Sequence, residues 1–191
     1  IQMAKEKGMS AEELLSEEAE KVPAGSDGLM TVLDWLAPVD ARYKKGIMIG
    51  FDGRHTRGHI YRSILEAVAM TIKGHTEDMV NEVGVTLDKI IITGGGSNSD
   101  LFMQIFADVF NLPAVRNVVN GAAGLGSAIC AAVATDVYGS FEEAVEGMVK
   151  IQDTFVPNPE NVELYKKMIP IYKDITVHTD EVLKKTYELF E

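Results

Sequence analysis

Three consecutive glycines at the end of a β-branched run constrain this chain most. Lys89-Ile90-Ile91-Ile92-Thr93 is followed by Gly94-Gly95-Gly96 and then Ser97-Asn98-Ser99. The isoleucines predict a buried strand, and the glycines break it. Ser97, Asn98 and Ser99 are candidate N-caps for a helix over Asp100 to Phe110. A strand running through bare backbone into a helix lets a ligand approach the main chain closely. The helix start adds unpaired N–H groups and the positive end of its dipole. Phosphate is the natural ligand for such a place at the carboxyl end of a strand. A tight connection with no ligand has the same pattern, and this feature alone leaves both readings open. It is neither a P-loop, since no Gly-Lys-Ser/Thr follows, nor a dinucleotide fingerprint, since the glycine spacing differs.

The rest of the chain reads as alternating helices and strands. Ser10-Ala11-Glu12-Glu13 is a capping box opening a helix to about Glu20. Pro23 to Gly28 is a turn cluster. Leu29 to Leu36 and Ile47 to Phe51 are candidate strands. Apolar positions at helical spacing predict a long helix from His59 to Glu82, closed by Gly84. Ala114 to Arg116 is a short strand. Gly121 to Ala128 is a second glycine-rich turn, read as entry to a small-residue helix suited to close packing on a sheet. Phe141 to Val149 is helical. Beyond the Pro157-Asn158-Pro159 linker, Asn161 to Glu191 is helical with a break near Pro170. Alternation of this kind gives an α/β class with a mixed sheet flanked by helices.

Composition excludes several roles. The 191 residues carry a net charge of −11, the wrong sign for sequence-independent nucleic-acid binding. No apolar run is long enough to span a bilayer, and no signal peptide is evident. These features predict a cytoplasmic protein bound to neither nucleic acid nor membrane. Cys130, the single cysteine, sits in an alanine-rich run and is expected to be buried. The four histidines lack metal-ligand spacing, so no metal site is predicted. His59 and His75 fit surface or capping roles, Asp40 and Asp52 fit turns, and Asp100 and Asp108 fit a helix start and a solvated helix side. No residue qualifies as a catalytic acid or base.

Gly46-Ile47-Met48-Ile49-Gly50-Phe51, a spacer, and His59 to Glu66 resemble the second signature of the FGGY carbohydrate kinases. Phe51 replaces the family's usual aliphatic. Ile91 to Gln104 resembles the family's adenosine motif. Ala107-Asp108-Val109-Phe110-Asn111-Leu112-Pro113-Ala114 resembles its Ala-Asp-Val-x-Gly-x-Pro-Val run, with Asn111 in place of glycine. Gly124 to Ala132, and Phe155-x-Pro157-x-Pro159 with Tyr165 and Tyr172, continue the resemblance to about Tyr172. The loop from Leu36 to Tyr43 departs from the family's Gly-Glu-Arg-Thr-Pro type loop.

The resemblance implies an actin-like ATPase (ribonuclease H-like) domain, truncated at its N-terminus, with residues 1–160 as the C-terminal nucleotide lobe and 161–191 as a helical tail. It implies ATP and Mg as cofactors, with Gly94, Gly95, Gly96, Ser97, Asn98 and Ser99 at the nucleotide's ribose and phosphates. Ile1-Gln2-Met3 resembles an Ile-Gln-Trp segment beside the adenine, adding Gln2. A sugar of xylulose type would be held mainly by an N-terminal lobe outside this chain, which would also supply the catalytic aspartate. This chain alone is therefore expected to be inactive, and a homodimer is compatible. Another ketose, polyol or aldonate kinase, a non-catalytic actin-like module, and a phosphate-binding module of another α/β fold are the alternatives.

Overall fold

The computed structural model describes residues 2–190, so Ile1 of the Ile-Gln-Met segment lies outside the described residues. Helices α1 (Gln2–Glu6) and α2 (Ala11–Ala19) lead in. The capping box forms as expected: Ser10 Oγ accepts from the Glu13 amide at 3.1 Å and the Glu13 carboxylate accepts from the Ser10 amide at 2.7 Å. Strands β1 (Met30–Val32) and β2 (Ile47–Ile49) pair antiparallel. The extended run expected over Leu29 to Leu36 thus supplies only a three-residue strand. Its remainder forms a loop in which Trp35 and Leu36 are exposed. Gly50 closes β2 with φ +97°, and a Cβ there would stand 2.5 Å from the Gly28 carbonyl oxygen. This signature glycine is therefore required by close backbone approach.

Helix α3 (Arg57–Val83) spans 27 residues and ends at Gly84 in the left-handed region. A three-stranded sheet follows, in the order β3 (Ile90–Ile92), β4 (Ala114–Asn117), β5 (Ile151–Phe155). β3 runs parallel to β4, and β4 antiparallel to β5. The sheet is mixed, as expected, but β5 is a strand the sequence reading did not contain. Its five residues, Ile-Gln-Asp-Thr-Phe, place three polar side chains between two apolar ones and lack the apolar alternation that marks a strand. β4 is buried along its whole length. β3 is not: as the edge strand it leaves Ile91 53% exposed, which corrects the expected buried strand.

Helix α4 (Asp100–Phe110) is the centre of the core. Met103, Ile105, Phe106 and Val109 are buried among α3, β4 and the last helix, α7 (Pro159–Phe190). α4 ends at Asn111 with φ 54° and ψ 40°. Asparagine tolerates this left-handed cap better than other non-glycine residues, which explains how it stands where the family pattern has glycine. Asp108, expected on a solvated side, is 1% exposed. Its carboxylate accepts from the Asn158 amide, Asn161 Nδ2 and Gln104 Nε2, each at 2.7 Å. It thereby fastens the proline-rich linker to α4.

Two further expectations are corrected. α7 runs unbroken through Pro170, since burial of Val162, Tyr165, Met168, Tyr172 and Ile175 holds both sides of the proline in line. α5 (Ala122–Ala134) packs on α6 (Phe141–Met148) rather than on the sheet. Only Ile129 of α5 is buried, and Cys130 is exposed. The small side chains permit close packing, and the helix they meet is α6.

Candidate nucleotide site

A cleft of about 980 Å³ opens between α2 and the glycine turn. Gly95, Gly96, Asn98 and Ser99 form one wall, continued by Asp100 and Phe102 of α4. Glu12, Glu13, Ser16 and Glu17 of α2 and its C-cap Glu20 form the other wall, and Tyr61 and Leu65 of α3 also line the cleft. The expected strand-to-helix turn is therefore a wall of this cleft.

Its local geometry follows from its residue types. Gly94 has φ 84° and ψ −172°, a conformation open essentially to glycine alone. Gly95–Asn98 make one 3₁₀ turn, whose leading N–H groups have no partner within the turn itself. A Cβ built on Gly95 would meet no protein atom, so the wall there is bare backbone facing space that a ligand can fill. Ser99 caps α4, accepting from the Phe102 amide at 3.3 Å. Ser97, by contrast, is fully buried, and its hydroxyl donates to the Gly94 carbonyl at 2.7 Å. It shapes the turn and does not face the cleft. Gly94 is likewise not among the residues that line the cleft. Gln2 is exposed and bonds Glu6 at 3.3 Å. It is not among the residues that line the cleft. The second glycine-rich turn stays outside the cleft as well, but Asn120 just before it reaches across. Its carbonyl accepts from the Gly94 amide at 2.8 Å and its Nδ2 donates to Asn98 Oδ1 at 2.8 Å.

Arg116, which the sequence reading passed over, lies beneath the turn. Its Nη1 donates to the Ser97 carbonyl at 2.9 Å and lies 2.9 Å from Asp100 Oδ1, while its Nε and Nη2 pair with the Asp153 carboxylate. The Asp153 hydrogen bonds raise its pKa above the ordinary value, with Asp100 adding to them.

A second buried polar cluster explains the acid that ends the signature. Glu66 is 1% exposed. It accepts from the Gly25 amide at 2.8 Å, Ser26 Oγ at 2.9 Å, Arg62 Nε at 2.9 Å and the Tyr165 hydroxyl at 2.8 Å. Burial, followed by the neighbouring Glu66 charge, pushes the Tyr165 hydroxyl well above its ordinary pKa. This acid holds α3, α7 and the turn before β1 together and does not line the cleft. The histidines take capping and turn roles: His59 bonds the Thr56 amide and Asp27, and His55 accepts from the Asp52 amide. Among the described residues no group of three or more His, Cys, Asp or Glu side chains could hold a metal ion.

Residues 3–135 match the model of the FGGY family of carbohydrate kinases, C-terminal domain. The chain belongs to this family. A relative described as the uncharacterized sugar kinase YgcE of Escherichia coli (strain K12) is 53% identical over 190 residues, which cover 99% of this chain and 39% of that protein. The xylulose kinase of Bacillus subtilis (strain 168) is 30% identical over 89% of this chain and 34% of its own length. The chain thus spans well under half of these FGGY relatives. Among solved structures, xylulose kinase from Rhodospirillum rubrum superposes with a TM-score of 0.77 at 26% identity, covering 91% of this chain and 35% of that one. Plasmodium falciparum glycerol kinase with ADP has the same fold, with a TM-score of 0.74 at 18% identity, over 93% of this chain and 35% of that one. The fold is that of the actin-like ATPases, a mixed sheet with helices on its faces.

Proposed function

We propose that this FGGY domain is the nucleotide-binding lobe of an ATP-dependent sugar kinase, acting on a pentulose of the xylulose type. The observation that carries the reading is the cleft walled by the Gly95–Gly96 backbone at the carboxyl end of β3. It offers a nucleotide the bare Gly95 backbone, the leading N–H groups of the 3₁₀ turn and the capped start of α4. The α2 wall is acidic, so phosphates are favoured on the glycine side and the nucleoside on the α2 side. Bound ATP would supply the phosphoryl group, with Mg held by its phosphate oxygens and water, since magnesium is commonly bound this way and keeps several waters. The residues of this chain contribute position and backbone dipoles, the main requirements of phosphoryl transfer. The base that takes the sugar hydroxyl proton, and the sugar contacts, belong in this reading to a preceding lobe. The preference for a pentulose rests on the xylulose kinase relatives, and the cytoplasm, where ATP is plentiful, is the fitting location.

Titrating the ¹⁵N-labelled chain with Mg-ATP tests the site. Shifts concentrated at Gly95, Gly96, Asn98 and Ser99 are expected, without hydrolysis when xylulose is added. Shifts elsewhere with none in the cleft would overturn the assignment. Sugar-dependent ADP release by the chain alone would overturn the division of labour between lobes.

A further inference from the structure

We infer that Arg116 is a positioning residue for the nucleotide turn: its guanidinium crosses from β4 to grip the Ser97 carbonyl and so aims the glycine backbone into the cleft. The inference rests on the nucleotide reading of that cleft.

Three successive glycines carry more conformational freedom than any other tripeptide, yet a useful ligand wall needs one fixed geometry. Fixing must come from outside the glycines, and it comes from two directions. Asn120 ties the turn laterally, through the Gly94 amide and Asn98. Arg116 ties it from below. One guanidinium spans β5 through Asp153, the first turn of α4 through Asp100, and the 3₁₀ turn through Ser97. The side chain is 9% exposed and lies over the Phe155 ring at 5.3 Å. The fork geometry matters, because a guanidinium presents its donors in a rigid plane and an ammonium does not.

Its chemistry excludes the simpler role of an anion hook. Two carboxylates already face the one cation, so little positive potential is left for a phosphate. Arg116 therefore acts through the backbone it holds and not by touching ligand. A bland alternative remains: Arg116 only staples β4 to β5 through Asp153, and the Ser97 contact is incidental. The two readings differ in what loss of Asp153 does. Asp153→Asn weakens the staple but leaves Arg116 held by Asp100 and bonded to Ser97. Arg116→Met removes both.

The test uses the 191-residue chain, a fluorescent N-methylanthraniloyl ADP with magnesium as the probe, and amide exchange at Gly94 and Ser97, whose N–H groups are both hydrogen-bonded. Arg116→Met is expected to weaken probe binding about tenfold and to quicken exchange at these two amides by a similar factor, as loss of a charged hydrogen bond implies. Arg116→Lys should recover only part of either effect. Asp153→Asn should leave both within about twofold of the parent chain, since the Ser97 bond survives. Equal effects from Asp153→Asn and Arg116→Met, or full rescue by lysine, would overturn the inference. Should Arg116→Met fail to fold, Arg116→Lys carries the comparison, because it keeps the charge between the aspartates and loses the fork. If the parent chain binds no probe, the nucleotide reading falls, while the exchange measurements still decide whether Arg116 fixes the turn.

Discussion

Glu66 shows how much one side chain can organise. Its carboxylate takes four hydrogen bonds from α3, α7 and the turn before β1. Arg62, 6% exposed, is paired with it and also donates to the Ala19 and Val22 carbonyls. Burial alone would lower the Arg62 pKa, but the Glu66 charge and Tyr165 outweigh it and hold the guanidinium above its ordinary value. Removing one partner of such a pair leaves a buried charge uncompensated. Glu66→Ala is therefore expected to cost about 3–5 kcal/mol, read as a drop in the urea midpoint. The burial of this signature acid makes it an organiser of the fold. If Glu66→Ala left stability unchanged, that account would fail.

Among the elements, α7 departs furthest from its sequence pattern. Proline inside a helix removes one backbone hydrogen bond and crowds the preceding turn, at about 3 kcal/mol. The helix nonetheless continues, because buried side chains on both sides of Pro170 make bending more costly. Pro170 is itself exposed, so Pro170→Ala should restore the bond without loss of packing. A gain of about 1–2 kcal/mol is expected after allowing for the looser unfolded chain, and calorimetry would register it as a raised Tm. A lower Tm would overturn this account. Elements with local signals were readable from sequence: the Ser10 capping box, the Gly84 stop, the Ser99 cap and the long repeat of α3. β5 was not, because its pairing with β4 is set by residues about forty positions away. Asp108 was misread for a related reason. A polar residue in Phe-Ala-Asp-Val-Phe buries only because Asn158 and Asn161 arrive to satisfy it. The glycine turn was legible as a candidate wall, whereas Arg116 beneath it carries no motif, and its role appears only once β4 and β5 are paired.

For the molecule as a whole, two surfaces differ in kind. The polar face is held by exposed ion pairs and caps sensitive to acid. Hydrogen bonds from Arg54 lower Asp52 to about 2. Glu13 is lowered through Ser10 and Glu18 through Arg57. Groups with depressed folded pKa values contribute fully above their unfolded values and lose that contribution as pH falls through the folded ones. Tm should therefore hold between pH 7 and about 5 and decline from about pH 4.5 toward about 2. A Tm that rises in that window would contradict these assignments. The other surface is more apolar: α5 has Ile129 as its one fully buried residue, and Val118, Val119 and Val137 are exposed close to it in sequence. A preceding lobe of the kind proposed above would shield this helix if it packs there. Cys130 stands on that helix as the chain's single thiol, which gives the arrangement a stopwatch. A maleimide dye should label it within minutes in the isolated domain and far more slowly once a covering segment is joined in the same polypeptide. Comparing the two labelling rates would show how completely the helix is shielded.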